Sequence, residues 1–502
     1  MRLNHSPHLR FAFAVILAAA CLCAAGCVAP LGPGYLVEKQ EMEVQFVPGS
    51  QSGSPAMIRV DATYELRNTG NRPLSVLDAR LPSGRRLHVN ATQAFWDGHQ
   101  VELTPATDVP RETVLRLPQP WPVSARRSLH LSYQVVSAAP DESGLTFTSD
   151  AFFLPSSGWS PEFQQPDGLF GFGGVPPKKW ELTVRVPQDF IVHTSGAKQK
   201  LSRKGSEQIL RAMQSPADHY PFVVAGRYTS AEVGDGKHRL FLWTRSRPDT
   251  DSLRQAGHHL ARTTAVYDAM FGSRTNKGDA PLWIVECPDA RGCISSSSST
   301  SSLLLDEDAG PATAEMASVD TLMINLSAGT PSLATAVAPS LAASWLGYGQ
   351  NPGFYEQVPP LSLFPAFAAA IGREALIGPS YRGDIIRSAL SRIPKDSATD
   401  AVARTAAEGP EVVRAKSFLF FYALQDRYGP GVFRKATTHM LEARRGRGFD
   451  ISDLIASFDQ ETHQNTAEFV RHWMKRPGVP DEFRARYESN SAAKNGAKES
   501  FR

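Results

Sequence analysis

The hydrophobic period changes once along this chain, and that change limits the fold more than any single motif does. From Gln40 to Val233 apolar residues alternate over short stretches separated by Pro- and Gly-containing turns. Met57 to Leu66 alternates in strand fashion and then enters the turn sequence Asn68-Thr69-Gly70-Asn71-Arg72-Pro73. Leu129 to Val136, Trp180 to Val186 and Phe222 to Tyr228 repeat the pattern. Beyond Val233 the spacing mixes and then turns helical. Strands are expected at His238 to Thr244, Pro281 to Glu286, and near Leu303 and Leu322. Helices are expected at Thr250–Phe271, Ser362–Ile377, Val412–Tyr428, Gly431–Arg444, Ile451–Phe458 and Thr466–Met474. Strands first and helices afterwards make a multidomain α+β chain, with a β-sandwich or saddle-shaped β domain at its N-terminal side.

The start of the chain sets the expected compartment. Arg2 and Arg10 precede an apolar run from Phe11 to Cys23, followed by Ala24-Ala25-Gly26-Cys27. This is a lipoprotein signal peptide over 1–27 with Cys27 as the lipidated residue. Ordinary signal-peptidase cleavage and an uncleaved anchor are the alternatives. The run is shorter than the roughly 20 residues a spanning helix needs. Residues 28–39 read as a tether. Outer-membrane attachment facing the periplasm is the expected location, because Val28 is not an aspartate. Of the 5 cysteines, Cys21 and Cys23 leave with the signal and Cys27 carries lipid. Cys287 and Cys293 remain, six apart in an oxidising space, and a disulfide closing a small loop is the reading. Two free thiols are the alternative, and a two-cysteine zinc site lacks partners nearby.

With 502 residues the chain can bury two or three cores. Its 42% hydrophobic and 21% charged content is that of a water-soluble globular protein. A net charge of +3 gives no argument for nucleic acid. The cluster Arg444-Arg445-Gly446-Arg447 reads as a solvated interhelical loop.

The stretch Thr330 to Gly349 has an N-cap at Thr330, Pro331 at the first helical position, and Leu333, Val337, Leu341 and Trp345 on one face. It ends in Trp345-Leu346-Gly347. This framing resembles the active-site helix, V-x-H-E-x-x-H-Q-W-W-G, of the aminopeptidase N / leukotriene hydrolase family of gluzincin metallopeptidases. Other segments resemble the same family in order. Phe152-Phe153 to Trp159-Ser160-Pro161 is similar to its F-F...W-x-P element, Trp180 to Pro187 to its W-x-L-x-V-x-V-P strand, and Val224-Ala225-Gly226-Arg227-Tyr228 to its A-G-x-Y strand. Gly431 to Lys435 looks like the start of a late helix. Phe469 to Pro480 resembles its F-x-x-x-W-x-x-R-P-G-x-P close. The resemblance covers about residues 40–485. It implies a β domain over 40–233 and a thermolysin-like domain over 234–486; the polar, Ala/Lys/Ser-rich end reads as a disordered tail over 487–502.

The chemical positions do not follow. The resemblance puts Pro339 on the first zinc histidine, Ser340 on the general-base glutamate and Ala343 on the second zinc histidine. Pro365 falls on the third ligand, a glutamate in W-L-x-E-G-x-A, and Arg414 on the tyrosine of Y-x-K-G. The serine tract Ser295 to Ser302 occupies the expected place of the amine-binding G-x-M-E-N element. No histidine lies between His259 and His439, so no frame shift restores a helical pair. Pro339 inside a helix removes a hydrogen bond and clashes with the preceding turn, so the segment is either a kinked helix or two short ones broken near Ala338.

Zinc hydrolysis needs three protein ligands, an open position and a base. The sequence therefore points to no catalytic residue and no cofactor, although zinc is expected for the family. The first expectation is a lipid-anchored, non-catalytic relative acting as a peptide- or protein-binding or scaffold module. The second is an active metallo-aminopeptidase or other hydrolase using His258, His259, Glu356, His439 or His472. The third is a purely structural envelope lipoprotein with a filled cleft. Asp306-Glu307-Asp308 lacks a calcium-loop pattern, His463 stands alone, and no G-x-S-x-G elbow is present.

Overall fold

The computed structural model describes residues 34–49, 56–80, 87–105, 113–137, 145–156, 159–163, 177–215, 220–233, 238–246, 250–274, 281–289, 314–318, 320–325, 333–346, 360–394, 410–444, 449–476 and 478–488. A large N-terminal sheet domain precedes a C-terminal helical domain, giving the α+β organisation expected from the change of period.

The large sheet has eight strands. In spatial order they are Lys198–Lys204, Glu207–Gln214, Trp180–Pro187, Tyr35–Val47, Met57–Asn68, Arg126–Ser137, Leu87–Trp96 and His99–Gln100. Only Tyr35–Val47 and Trp180–Pro187 run parallel; the other neighbours are antiparallel. Period two decides the faces. Trp180, Leu182, Val184 and Val186 point into the core, while Glu181, Thr183 and Arg185 face outward. Two four-stranded sheets cover the apolar face. One runs Ile191–Thr194, Val223–Gly226, Ala151–Leu154, Thr146–Phe147; the other Glu162–Phe163, Leu74–Arg80, Thr113–Trp121, Leu103–Pro105. Phe46 stacks on Phe152 at 4.6 Å between the layers, and the buried Tyr133 hydroxyl donates to the Trp159 carbonyl at 2.8 Å.

A further sheet begins the second half. Its order is Thr229–Glu232, Leu240–Thr244, Leu282–Glu286, Thr321–Ile324, Ala314–Ser318, with the middle three parallel and both edges antiparallel. Phe153, Phe222, Val224, Tyr228, Trp243, Val285 and Met323 form a buried cluster that joins this sheet to the β domain. Eight helices have defined bounds: α1 Thr250–Phe271, α2 Leu333–Trp345, α3 Phe364–Ile377, α4 Ser380–Ser391, α5 Pro410–Tyr428, α6 Pro430–Arg444, α7 Ile451–Thr462 and α8 Thr466–Lys475. Residues 481–488 form a last helical segment. Caps fix the entries of the late helices. The Asp450 side chain accepts from the Ser452 and Asp453 amides in a capping box, and Asn465 caps α8.

Several elements differ from the sequence reading. The first strand begins at Tyr35, inside the stretch read as a tether. The helical segment to residue 488 enters the stretch read as a tail, and the Tyr487 hydroxyl there donates to Asp426 at 2.7 Å. Helix α4 was not expected. Its apolar set is only Ile385, Ile386, Ala389 and Leu390, on an otherwise polar segment behind Pro379, so its period is weak in sequence and becomes decisive only against α3 and α5. The strand Ala314–Ser318 was also not expected.

Candidate functional site

The site that the sequence singles out is built on α2. The helix is continuous through Pro339, which settles the choice between one helix and two. From Val337 to Leu346 every residue is buried. Packing therefore replaces the backbone hydrogen bond that the proline removes. α2 lies against α1, α3 and the strands Ala314–Ser318 and Thr321–Ile324. The Tyr267 hydroxyl, from α1, donates to the Ala338 carbonyl at 3.1 Å, next to the proline. Burial raises the pKa of that phenol well above its ordinary value, so it remains a donor.

Pro339 and Ala343 are separated by one helical turn on this buried helix, and neither side chain has a donor atom. Ser340, on the position that the resemblance assigns to the general base, is 1% exposed. Pro365 sits in the first turn of α3, where a missing N–H costs nothing. Arg414 lies near the start of α5 and is partly exposed. The serine tract at 295–302 lies outside the described residues. Among the described residues, the only strand between Leu282–Glu286 and Thr321–Ile324 is Ala314–Ser318, and it packs on α2. Glu356 also lies outside the described residues.

The retained motif residues have structural partners. Trp345 donates its Nε1 proton to Asp268 at 3.2 Å, Asp268 also binds His238 at 2.7 Å, and the Arg274 guanidinium lies 5.7 Å over the Trp345 ring. Burial lowers the Arg274 pKa, opposed by Asp320 and Asp268. Lys416, the lysine of the Y-x-K-G comparison, is 2% exposed and donates to the carbonyls of Arg476 and Met474. Trp473 returns a bond from Nε1 to the Lys416 carbonyl at 3.1 Å. Two motifs far apart in sequence thus hold α5 to the C-terminal close.

The other candidates sit on other elements. His258 and His259 are neighbours on α1 with ring centroids 6.1 Å apart, and only His259 is half-buried. His439 is half-buried on α6, and His472 is exposed on α8. His463 closes α7 in the left-handed region at φ 55°. No group of three or more His, Cys, Asp or Glu able to hold a metal occurs among the described residues. Cys287 is 3% exposed and disulfide-bonded; Cys293 and Cys27 lie outside the described residues.

Gly372 shows how tightly this region is fitted. A Cβ there would lie 2.4 Å from the Tyr267 hydroxyl oxygen and 2.8 Å from its Cζ. Gly372→Ala is expected to lower stability by about 1–3 kcal/mol. Removing the hydroxyl in the Gly372→Ala/Tyr267→Phe double variant should recover part of that loss, measured as denaturant midpoints. Strict additivity of the two single effects would mean that the two residues are not in contact.

No protein-family model matches the sequence, and no curated protein matches it. Solved structures do match. A variant of the M1 zinc metallopeptidase from Deinococcus radiodurans is similar at 15% identity and a TM-score of 0.53, over 89% of this chain and 96% of that one. The unaltered Deinococcus radiodurans enzyme is similar at 14% identity and 0.51, over 89% and 95%. The chain has the M1 zinc metallopeptidase fold. A variant of a two-domain M1 zinc metallopeptidase bound to L-arginine aligns at 15% identity and 0.53, again over 89% and 95%. At these identities the likeness carries the M1 fold and no activity.

Proposed function

We propose that this protein is a non-catalytic member of the M1 fold, held in the cell envelope by lipid on Cys27, whose cleft binds a peptide or protein segment without cutting it. One observation carries the reading. Pro339 and Ala343 occupy the two positions, one turn apart on the buried helix α2, that the resemblance assigns to zinc histidines, and neither can ligate. Pro365, Arg414 and the serine tract at 295–302 point the same way, because each lacks the carboxylate or phenol that the resemblance assigns there. Meanwhile Trp345, Lys416 and Trp473 keep their packing roles, as a maintained fold requires.

Metal analysis of the purified full-length protein, with hydrolysis of aminoacyl-arylamide substrates, tests this directly. The expected result is zinc far below one per chain and no turnover above the buffer blank. One zinc per chain, with hydrolysis abolished by chelator, would overturn the reading.

A further inference from the structure

The edge of the large sheet carries a charge pattern that the proposed cleft does not explain. Lys198–Lys204 is the end strand and forms a hairpin with Glu207–Gln214. Register places Lys198 opposite Met213, Lys200 opposite Arg211, and Lys204 opposite Glu207. The next strand places Glu181 beside Met213 and Thr183 beside Arg211. Directly paired residues share a face, so Lys198, Lys200, Lys204 and Arg211 all stand on the outward face of the sheet. All four are exposed. Lys198, Lys200 and Arg211 border a shallow groove of about 260 Å³, whose wall includes Glu181, Thr183 and Met213.

The carboxylates of Glu181, beside the hairpin, and Glu207, within it, are already engaged. Glu181 pairs with Lys179 at 2.6 Å and with Lys39 at 3.5 Å, and Lys179 holds its pKa below the usual value. Glu207 pairs with Arg185 at 3.6 Å. Among the described residues, Lys198, Lys200, Lys204 and Arg211 form no ion pair. Lysines on an edge strand protect it from pairing with other strands. That protection accounts for three of the four, but not for Arg211 on the second strand.

The chain entry lies at the same end of the sheet. Gln40 is level with Trp180, Trp180 with Gln214, and Lys198 pairs with the adjacent Met213. Tyr35 lies five residues before Gln40 on the same strand, about 17 Å further out. Cys27 precedes Tyr35 by eight residues, a span of at most about 28 Å. We infer that this hairpin face is a docking surface for anionic lipid headgroups of the bilayer that holds the anchor, fixing the orientation of the tethered domain. The inference rests on the proposed lipid anchor at Cys27. Unpaired basic side chains close to a negatively charged leaflet are attracted within a Debye length, and the attraction falls with salt.

The test uses the full chain reconstituted in vesicles of phosphatidylcholine alone or of phosphatidylcholine with phosphatidylglycerol. A fluorophore on Ala197→Cys, an exposed position beside Lys198, reports transfer to an acceptor on lipid headgroups. The expected result is strong transfer only with phosphatidylglycerol. Lys198→Glu/Lys200→Glu/Arg211→Glu, and its milder Gln counterpart, should reduce the docked-to-undocked ratio roughly tenfold or more. High salt should do the same. Equal transfer on both vesicles, or transfer unchanged in the triple variants, overturns docking and leaves edge protection as the role of the lysines. Loss of binding to inorganic polyphosphate in the triple variant, without any lipid dependence, overturns it as well. Failure of the chain to float with either vesicle overturns the anchor instead, a separate outcome.

Discussion

Phe367→Ala is expected to lower the stability of the helical half by about 3–5 kcal/mol, the range for a fully buried phenylalanine cut to alanine. Phe367 is 0% exposed. Its ring lies 5.4 Å from Phe421, 4.9 Å from Tyr422 and 5.4 Å from Phe433, so α3, α5 and α6 meet on it. The neighbouring Phe364 stacks on Phe421 at 4.7 Å. Both aromatic residues flank Pro365, the position the resemblance gives to a metal ligand. The aromatic packing therefore holds α3 in place whatever stands at 365. Chemical denaturation, followed on the transition of the helical half, measures the loss. A loss below about 1 kcal/mol would mean that the site collapses around the smaller side chain, and that α3 is not fixed by this cluster.

Acid is expected to weaken the joint between the two halves through His193. This histidine, on the strand Ile191–Thr194, is 6% exposed. It stacks on Trp283 at 4.2 Å and lies against Phe222 and Trp243. Its Nε2 lies 3.0 Å from the Thr321 hydroxyl, which itself donates to Asp320 at 3.1 Å. With its single proton so used, Thr321 accepts from Nε2. Burial lowers the His193 pKa to about 4, and the Asp320 charge only partly opposes this. The unfolded value is about 6.5. A folded pKa below the unfolded one means that the unfolded chain binds the proton more readily in acid. The stabilisation is therefore full above pH 6.5 and is lost as pH falls toward 4. Between pH 7 and pH 4.5 the loss attributable to this residue is about 2–3 kcal/mol. Unfolding curves of the wild type and His193→Gln across that range isolate it. The variant should show a flatter dependence, and parallel curves would remove the assignment.

How much of this was legible in the sequence depends on the range of the interaction. Period-two strands such as Trp180–Pro187 and helices such as α1 and α5 were readable, because alternation and turn residues are local signals. The residues at 339, 343, 365 and 414 were readable as to side chain, since an absent imidazole needs no structure to notice. The strand Ala314–Ser318 was not found, because five residues of weak period gain their meaning only from pairing with Thr321–Ile324 and packing on α2. His193, Tyr267 and His238 were not singled out either. Each is an isolated polar residue in sequence, and its role comes from partners 128, 71 and 30 positions away.

The sequence by itself determined the order of β and helical halves and the side chains at the positions that the resemblance assigns to a metal site. Those are properties of local period and residue identity. Only the tertiary structure decided that α2 runs unbroken through Pro339, that Trp345 and Lys416 serve as staples, and that four cations without an ion pair among the described residues share one sheet face. Burial, register and the pairing of polar groups are set by contacts between distant segments, and no local pattern encodes them.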